Sequence, residues 1–469
     1  MRAISGLVLS AIFAVAHISP TAAYGAPQIY NFSDSPVMTN PADSPVDVGS
    51  PSAILIERTT GKTLYAKDEH RRMYPASMTK MLTALLAVEH LDLSGVVTVG
   101  DEIYNLPFDA MKSGHAAGET ITVTSLLRLL MIRSGNETAC VLAMEVARKT
   151  LHRDYVTYAE AESHFCGMMN DRARALGAYD SNFTNPHGYH SDDHYTTAHD
   201  LALIARAYME NDFLRQIASE PEFVSDSLDG QVYLGANVLK YNWPGHNQLI
   251  IKDSPNFYPY ADGIKTGYTT PAGDCVTASA TKGGVSLIAV VFDSADPGRW
   301  QDARRMFEFG FDNYGFETLQ EQGALVDEVT VENTPLGEPD TLAVLADEAV
   351  VAFLSSDERI SLTRLLDYGE SPLKAPIEKD AVIGTVRYVL DGETLFEGPL
   401  RAADTVAERS LENDVDYYLA SFKDNFFSKK SLPYWIAVGG VTFGLAGFGF
   451  AIKSRRVRND WRNTYRGYR

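Results

Sequence analysis

The chain has 469 residues, of which 45% are hydrophobic and 22% are charged, and its formal net charge is −20. This composition is typical of a folded globular protein, and the length predicts about two or three domains. An acidic chain is poorly suited to nucleic acid, because a phosphate backbone needs a basic surface and this sequence has one only in residues 453–469. We therefore expect no nucleic-acid partner.

The first segment, residues 1–26, has the pattern of a secretory signal peptide. The basic Arg2 precedes an apolar run that ends in small residues near Ala23. Because this run is too short for a typical membrane span, we predict that the segment is removed from an extracytoplasmic protein. Residues 27–48 are rich in Pro, Ser, Asn and Asp and predict a flexible leader.

The first strong structural signal is a β-hairpin followed by a helix. The β-type runs 53–56 and 63–66 flank a Thr-Thr-Gly-Lys turn, and an apolar helix is predicted to begin at Ser77. Lys80 lies three residues further on, so a helix would place both side chains on one face, with Cβ atoms about 5–6 Å apart. A lysine can serve a serine nucleophile as its base only if burial or another cation lowers the lysine pKa.

The Ser-x-x-Lys pattern of Ser77 and Lys80 occurs twice more, so the pattern alone is weak evidence. Ser279 and Lys282 fall at the end of a predicted strand, where positions i and i+3 face opposite sides, and Ser371 lies in a predicted loop. The context of Ser77, at the start of a helix, makes it the candidate nucleophile.

Residues 77–210 predict a largely helical region. A buried helix over 125–132 is expected to stop at Ser134, where another apolar helix follows. Thr197 and Asp200 predict a capping box for a later helix.

Strand signals return at residue 263. The runs 263–267, 275–280 and 285–292 are predicted strands, and a final helix is expected over 299–314. Since strands stand at both ends of residues 49–317 with helices between them, we predict one mixed α/β domain whose terminal strands share a sheet.

The remainder of the chain predicts a separate domain and a membrane anchor. Residues 318–405 consist of short β-type runs and predict a small all-β domain without catalytic residues, and residues 406–431 predict a helical linker. Residues 432–452 contain no charge and would reach about 30 Å as a helix, enough to cross a bilayer. The positive-inside rule places the basic tail, residues 453–469, in the cytoplasm.

The sequence contains three cysteines, and their number and surroundings indicate whether they form disulfides. Each is flanked by apolar residues and a disulfide-stapled scaffold would carry more, so we expect buried and mostly unpaired thiols. They are Cys140, Cys166 and Cys275.

Within residues 49–317, a Ser-x-x-Lys, a Ser-Gly-Asn and a Lys-Thr-Gly motif begin at Ser77, Ser134 and Lys265. A second ammonium from Lys265 would help to keep Lys80 neutral, and Ser134 would relay a proton between Lys80 and a leaving group. The Asn136 amide is suited to orient Lys80 and to hold a substrate carbonyl.

On a strand, the Lys-Thr-Gly motif has further functions. Lys265 and Thr266 are suited to meet a carboxylate, and Gly267 permits the close approach of an extended peptide. The backbone N–H groups of Ser77 and Tyr268 would form an oxyanion hole.

This set of motifs resembles that of the D-alanyl-D-alanine carboxypeptidase family of low-molecular-weight penicillin-binding proteins. The Ser-Gly-Asn form and the stretches 185–188 and 262–269 carry the resemblance, which covers about residues 50–405. It implies a β-lactamase/transpeptidase-like catalytic domain, attack by Ser77 on the bond between the last two D-alanines of a peptidoglycan stem peptide, and acylation of the same serine by penicillins. It also implies that Arg299 helps to hold the terminal carboxylate. No cofactor or metal is expected, and the expected location is the periplasmic face of the bacterial cytoplasmic membrane.

Three alternatives remain open at this stage. A β-lactamase would share the motifs but needs a deacylating base that the sequence does not reveal. A metal-dependent peptidase is suggested by histidines and acids in a predicted loop, namely His187, His190, His194, His199, Asp192, Asp193 and Asp200. A catalytically inactive envelope scaffold or penicillin sensor would keep the same residues. The segment 211–262 looks longer than the family usually shows and is a candidate for reshaping the substrate cleft.

Overall fold

The computed structural model describes residues 28–30, 46–225, 232–234, 237–239, 241–426, 445 and 448–455. The chain divides into two compact units, and the second unit consists mainly of β-strands and loops. The first unit extends to Leu319 and includes Val350–Leu362 and Leu390–Leu395, and the second contains Gln320–Ala349, Thr363–Val389 and the residues from Phe396 onward.

The α-helices of the described residues are, in chain order, α1 (Lys80–His90), α2 (Val123–Arg128), α3 (Asn136–Leu151), α4 (Tyr158–Ala175), α5 (Ala198–Glu210), α6 (Asp212–Ala218), α7 (Gly298–Asn313), α8 (Ser356–Ser361) and α9 (Leu411–Phe426). Two 3₁₀ turns, Ala76–Thr79 and Asp101–Tyr104, and one π-helical turn, Leu129–Arg133, accompany them.

The strands of the same residues are β1 (Gln28–Tyr30), β2 (Ser52–Glu57), β3 (Thr63–Lys67), β4 (Val96–Thr98), β5 (Glu119–Thr122), β6 (Glu222–Val224), β7 (Val232–Leu234), β8 (Asn237–Leu239), β9 (Asn242–Pro244), β10 (Ala261–Thr269), β11 (Gly273–Lys282), β12 (Val285–Ser294), β13 (Tyr314–Gln320), β14 (Leu325–Glu332), β15 (Thr341–Ala346), β16 (Val350–Ser355), β17 (Thr363–Asp367), β18 (Leu373–Lys374), β19 (Val382–Leu390) and β20 (Glu393–Ala402).

The main sheet of the first unit has the strand order β10-β11-β12-β2-β3, with every neighbouring pair antiparallel. The prediction that strands from both ends of the domain share a sheet is therefore confirmed. Every residue of β2 is buried, and its alternate side chains enter two cores: Ile54 packs with the helices α1 to α6, and Leu55 packs with α7. Both faces of the sheet are thus covered, which explains why the two strands β2 and β12 are nearly continuous apolar runs.

The predicted hairpin, the three later strands and the last helix of this unit agree with β2, β3, β10 to β12 and α7. The region 77–210 is less uniformly helical than predicted, because β4 pairs with β5 inside it. These strands are three and four residues long, which is too short for a clear alternating pattern in the sequence.

The predicted capping box at the start of α5 is half correct. The Thr197 hydroxyl accepts the Asp200 N–H at 3.0 Å, as expected. The Asp200 carboxylate, however, accepts from the Asp180 N–H and from Ser181 instead of returning to the helix start. A capping box is present at α8, between Ser355 and Glu358.

Part of the predicted flexible leader is ordered. Strand β1 pairs in parallel with β16, with Gln28 opposite Val350. Backbone pairing of this kind needs no particular side chains, so the polar composition of the leader gives no indication of it.

Most residues of a six-stranded sheet, with the order β17-β19-β20-β15-β14-β18, belong to the second unit. The predicted Asp-Gly hairpin lies between β19 and β20, where Asp391 and Gly392 both have positive φ angles of 51° and 89°. The expectation of β-rich structure here is confirmed, and Ser371 lies between β17 and β18, in a loop as predicted.

Within the part of the chain that the structure describes, no helix is long and apolar enough to cross a membrane. Most of the predicted span 432–452, like the signal segment 1–26 and most of the tail, lies outside the described residues. The three cysteines are free and buried, as predicted.

Candidate active site

Ser77 lies in the 3₁₀ turn Ala76–Thr79, directly before α1, whereas the sequence predicted that the α-helix begins at Ser77 itself. Lys80 is the first residue of α1, and its Nζ lies within hydrogen-bond distance of Ser77 Oγ, at 2.9 Å. The Lys80 side chain is completely buried, with 0% exposure, whereas Ser77 is partly exposed. The turn therefore presents the hydroxyl at the surface and places the amine beneath it.

Two further acceptors fix the Lys80 amine. Nζ donates to Asn136 Oδ1 and to the main-chain carbonyl of His187, both at 2.6 Å. Burial, and then the charge of Lys265, hold the pKa of Lys80 well below its usual range. A neutral amine has two N–H bonds and one lone pair, so donation to Asn136 and His187 leaves the lone pair for the proton of Ser77. This is the arrangement that a general base requires.

The His187 carbonyl is a functional group that the sequence did not reveal. A main-chain acceptor has no side-chain signature, although the local turn has one: Asn185 Oδ1 accepts the N–H groups of His187 and Gly188 at 3.3 and 2.6 Å. An Asn before Pro is a known turn signal.

The second lysine, Lys265, is also buried, at 2% exposure, and donates to the Thr266 carbonyl at 3.1 Å. Burial, and then the nearby Arg299 guanidinium, lower the pKa of Lys265 to about 7. Arg299 itself forms an ion pair with Asp274, with 2.7 Å between Nη1 and Oδ1. Lys265 and Arg299 thus form a cationic wall of the site, and of these two only Arg299 has a carboxylate partner within the described residues.

Strand β10 runs against the Ser77 turn. A Cβ at Gly267 would lie 2.8 Å from the Pro75 carbonyl oxygen and 3.2 Å from Ala76 Cβ, so only glycine fits. The close approach predicted for Gly267 is therefore to the turn itself. Thr266 is buried beside it, while Tyr268 is 63% exposed. Among the described strands, β10 pairs with β11 alone, so its other edge is open to an extended peptide.

The Ser-Gly-Asn motif connects the π-helical turn to α3. Ser134 has a left-handed backbone (φ 67°, ψ 31°) and is buried. A Cβ at Gly135 would lie 2.1 Å from Ser113 Oγ and 2.4 Å from Thr138 Oγ1, which explains why this position holds a glycine and not an aspartate. Asn136 starts α3, and its N–H donates to the Met111 carbonyl at 2.8 Å.

The loop that contains His187 is clamped onto the Ser77 turn. Gly188 has a positive φ of 79°, and a Cβ there would lie 1.8 Å from the Ala76 carbonyl oxygen. His194 Nδ1 accepts the Thr184 N–H at 3.0 Å, so its protonated Nε2 donates to Thr79 Oγ1 at 2.8 Å. This histidine therefore fastens the loop to the turn.

Hydrogen bonds within the protein account for two of the histidines that suggested a metal site. Both ring nitrogens of His194 take part in hydrogen bonds, and His199 Nδ1 lies 3.2 Å from Asp200 Oδ1. In the described ranges of the chain, no group of three or more His, Cys, Asp or Glu side chains is placed to hold a metal ion.

Two family models match the chain. The model described as D-alanyl-D-alanine carboxypeptidase matches residues 38–296, and the model of the C-terminal domain of penicillin-binding protein 5 matches residues 314–408. Among curated proteins, the D-alanyl-D-alanine carboxypeptidase DacF of Bacillus subtilis is 32% identical over 75% of this chain and 85% of its own length. DacA of Escherichia coli, also a D-alanyl-D-alanine carboxypeptidase, is 28% identical over 81% of this chain and 89% of its own.

Solved structures give the same result. Penicillin-binding protein 5 from Haemophilus influenzae is similar with a TM-score of 0.55 and 25% identity, over 78% of this chain and 99% of its own. The DD-transpeptidase of Streptomyces K15 is similar with a TM-score of 0.52 and 27% identity, over 57% of this chain and 98% of its own. The similarity thus includes both the mixed α/β unit and the β-rich one.

Proposed function

The chain belongs to the D-alanyl-D-alanine carboxypeptidase family, and from this premise we propose that Ser77 is the nucleophile of a serine-type carboxypeptidase and Lys80 its general base. The contact between Lys80 Nζ and Ser77 Oγ, at 2.9 Å beneath a partly exposed hydroxyl, carries the proposal. An ordinary lysine would be protonated at neutral pH and unable to accept a proton. Burial and the neighbouring Lys265 remove this obstacle by lowering the Lys80 pKa.

The substrate is a peptidoglycan stem peptide that ends in D-Ala-D-Ala. Ser77 Oγ attacks the carbonyl carbon between the two D-alanines while its proton passes to Lys80. The backbone N–H groups of Ser77 and Tyr268 stabilise the resulting oxyanion. Ser134 passes the proton from Lys80 to the leaving amine, so that D-alanine departs and an ester on Ser77 remains. Water then hydrolyses the ester by the same route in reverse.

The terminal carboxylate of the substrate is held by Lys265, Thr266 and Arg299. The cationic wall of the site supports this role, because a buried anion needs a compensating charge. Arg299 is already paired with Asp274 at 2.7 Å, so its orientation is fixed before substrate arrives. The open edge of β10 would pair with the peptide backbone, and Asn136 would hold the carbonyl of the acyl group.

β-Lactams acylate the same serine, because they imitate the D-Ala-D-Ala end. Intact-protein mass after incubation with benzylpenicillin tests this directly. The wild type should gain one penicillin mass per chain, and Ser77→Ala should gain none. An unmodified wild type, or a modified Ser77→Ala, would refute Ser77 as nucleophile. Release of D-alanine from a synthetic pentapeptide should be lost in the same variant.

The enzyme acts outside the cytoplasm. We propose the domain arrangement given by the sequence, with a signal peptide over 1–26, a catalytic domain over 49–317, a β domain over 318–405, a span over 432–452 and a cytoplasmic tail. The charge-free run and its basic flank support the anchor. Membrane fractionation of the full chain and of a chain ending at residue 431 tests it: the full chain should resist alkaline extraction, and the shortened one should be released.

A further inference from the structure

The segment Tyr241–Asn247 wraps around the π-helical turn that precedes the Ser-Gly-Asn motif. The Trp243 indole N–H donates to the Ser113 carbonyl at 3.0 Å, and its ring packs against the Arg133 guanidinium at 4.0 Å. The Gly245 N–H donates to the Pro221 carbonyl at 2.7 Å. These contacts fix the backbone of the next residue, His246, between the π-helical turn and strand β10.

His246 borders a small cavity behind the active site. The cavity is about 10 Å³, which admits about one water molecule. Its wall includes Ile132 of the π-helical turn and both Lys265 and Thr266 of β10. His246 Nε2 and the Asn247 side-chain nitrogen are buried here without a hydrogen-bond partner in the described part of the chain. Since a buried polar atom without a partner is costly, the wall is built to receive one.

The two ring nitrogens of His246 have different surroundings. The backbone of Arg133 lies close enough to the ring to favour its protonated form, as a carbonyl facing a ring N–H does. Because Nε2 has no partner, the donor is Nδ1. The Arg133 carbonyl lies at the end of the π-helical turn, where main-chain carbonyls lack partners within the helix. The Nε2 lone pair is therefore left facing the cavity.

We propose that His246 is a positioning residue that joins the two motif segments: its Nδ1–H holds the Arg133 carbonyl beside Ser134, and its Nε2 is linked to the Lys265 ammonium through one water in the cavity. Lys265 donates to the Thr266 carbonyl and has two further N–H groups to offer. The role deepens the proposed function, on which it rests, because it adds a residue from the segment 211–262 to the support of both motifs.

The charges around His246 keep the ring neutral. Lys265 on β10, Arg133 on the π-helical turn and Arg299 on α7 all oppose a proton on it, and together with burial, the largest cause, they lower its pKa to about 4. Glu220, the acid on the cavity wall, is engaged by Arg128, with 3.0 Å between Oε2 and Nε. At neutral pH the Nε2 lone pair is thus available to Lys265.

Loss of the His246 Nε2 acceptor should change the pH dependence of acylation and not only the acylation rate at one pH. A hydrogen bond to the charged form of Lys265 raises its pKa, so removal of that bond lowers the pKa of Lys265. Lys265 acts as a cation, and acylation therefore falls as pH rises through that pKa. In His246→Phe we expect acylation by a fluorescent penicillin to be slower by about tenfold or more at pH 7. The alkaline limb of the profile should move to lower pH.

Two conservative variants separate the roles of the ring nitrogens. His246→Gln keeps an acceptor near the position of Nε2, and should keep the alkaline limb of the wild type. His246→Asn keeps the donor to Arg133 alone, and should show the shifted limb of His246→Phe. His152→Asn is the matched control, since His152 is exposed and has a left-handed backbone that asparagine tolerates.

The proposal would be overturned if the alkaline limb of both His246→Phe and His246→Asn lay at the pH of the wild type. It would also be overturned if the limb of His246→Gln moved as far as that of His246→Phe. If thermal unfolding shows that His246→Phe does not fold, the alkaline limbs of His246→Asn and His246→Gln are compared with each other, and this comparison decides the question. The mass of the penicillin adduct separates this outcome from a failure of the proposed function. A wild type without an adduct refutes the function, whereas full adducts with an unchanged pH profile refute only the role of His246.

Discussion

Asn136→Asp is the sharpest test of the Lys80 base, because it changes one charge and almost no volume. The Asn136 oxygen that accepts from Lys80 lies 2.6 Å from Nζ. With an effective dielectric constant of about 20, a carboxylate oxygen at this distance would favour the ammonium by about 6 kcal/mol. Burial of the new carboxylate offsets part of this energy. If only about 2 kcal/mol remains, the pKa of Lys80 rises by about 1.5 units.

The expected result is slower acylation near neutral pH, with a lower maximum that is displaced toward higher pH, because the alkaline fall set by Lys265 stays in place. A protonated Lys80 cannot accept the Ser77 proton, so the acid limb of the acylation profile should move upward, by about 1.5 pH units for a residual energy of about 2 kcal/mol. The assay is the second-order rate constant for a fluorescent penicillin, measured from pH 5 to 10. Asn136→Ala is the control: it removes the acceptor without adding charge, and should slow acylation without an upward shift of the limb. An unshifted acid limb in Asn136→Asp would refute Lys80 as the base.

Three further predictions concern packing, acid stability and thiol reactivity. Gly135→Ala should destabilise the fold by about 1–3 kcal/mol through overpacking, whereas Gly167→Ala, at an open position in a helix, should be neutral or slightly stabilising; thermal unfolding compares them. Burial, and then the charges of Lys80 and His190, lower the pKa of His194 to about 3. Between pH 6.5 and 3, His194 is therefore protonated in the unfolded chain but not in the folded chain. The free energy of unfolding should therefore decrease as the pH is lowered through this window, by about 2 kcal/mol at pH 5 from this group. In urea unfolding, the free energy of unfolding of His194→Asn should depend less steeply on pH than that of the wild type. The three cysteines, whose thiol pKa values burial raises to about 12, should resist alkylation in the native protein and react after denaturation; rapid native labelling would contradict their burial.

The sequence predicted those parts of the structure that depend on local pattern. Strands β2 and β12 are apolar runs and α7 has apolar residues at helical spacing, so periodicity indicates them. The short pair β4 and β5, the strand β1 and the 3₁₀ turn at Ser77 were missed or misread, because three or four residues carry little periodicity and backbone pairing tolerates most side chains. The side-chain candidates were found by motif, whereas the His187 carbonyl belongs to the backbone of a distant loop.

His246 shows a different limit. Its residue type and neighbours contain no motif, and its surroundings depend on the fold of the segment 211–262 around the π-helical turn. A histidine in a polar stretch is ordinarily a surface residue. Only the three-dimensional arrangement shows a ring nitrogen without a partner beside a buried lysine.

The glycines of the site share one physical cause. Gly135, Gly188 and Gly267 stand on three different segments, and at each position a Cβ would lie within 3 Å of a neighbouring oxygen atom. Two of these close contacts are to the Ser77 turn itself. By allowing the backbones to meet without a gap, the glycines exclude water from Lys80, and exclusion of water is the largest cause of its lowered pKa. A larger residue at Gly188 or Gly267 should therefore impair acylation even where every polar group of the site is retained, because the base would be rehydrated and protonated.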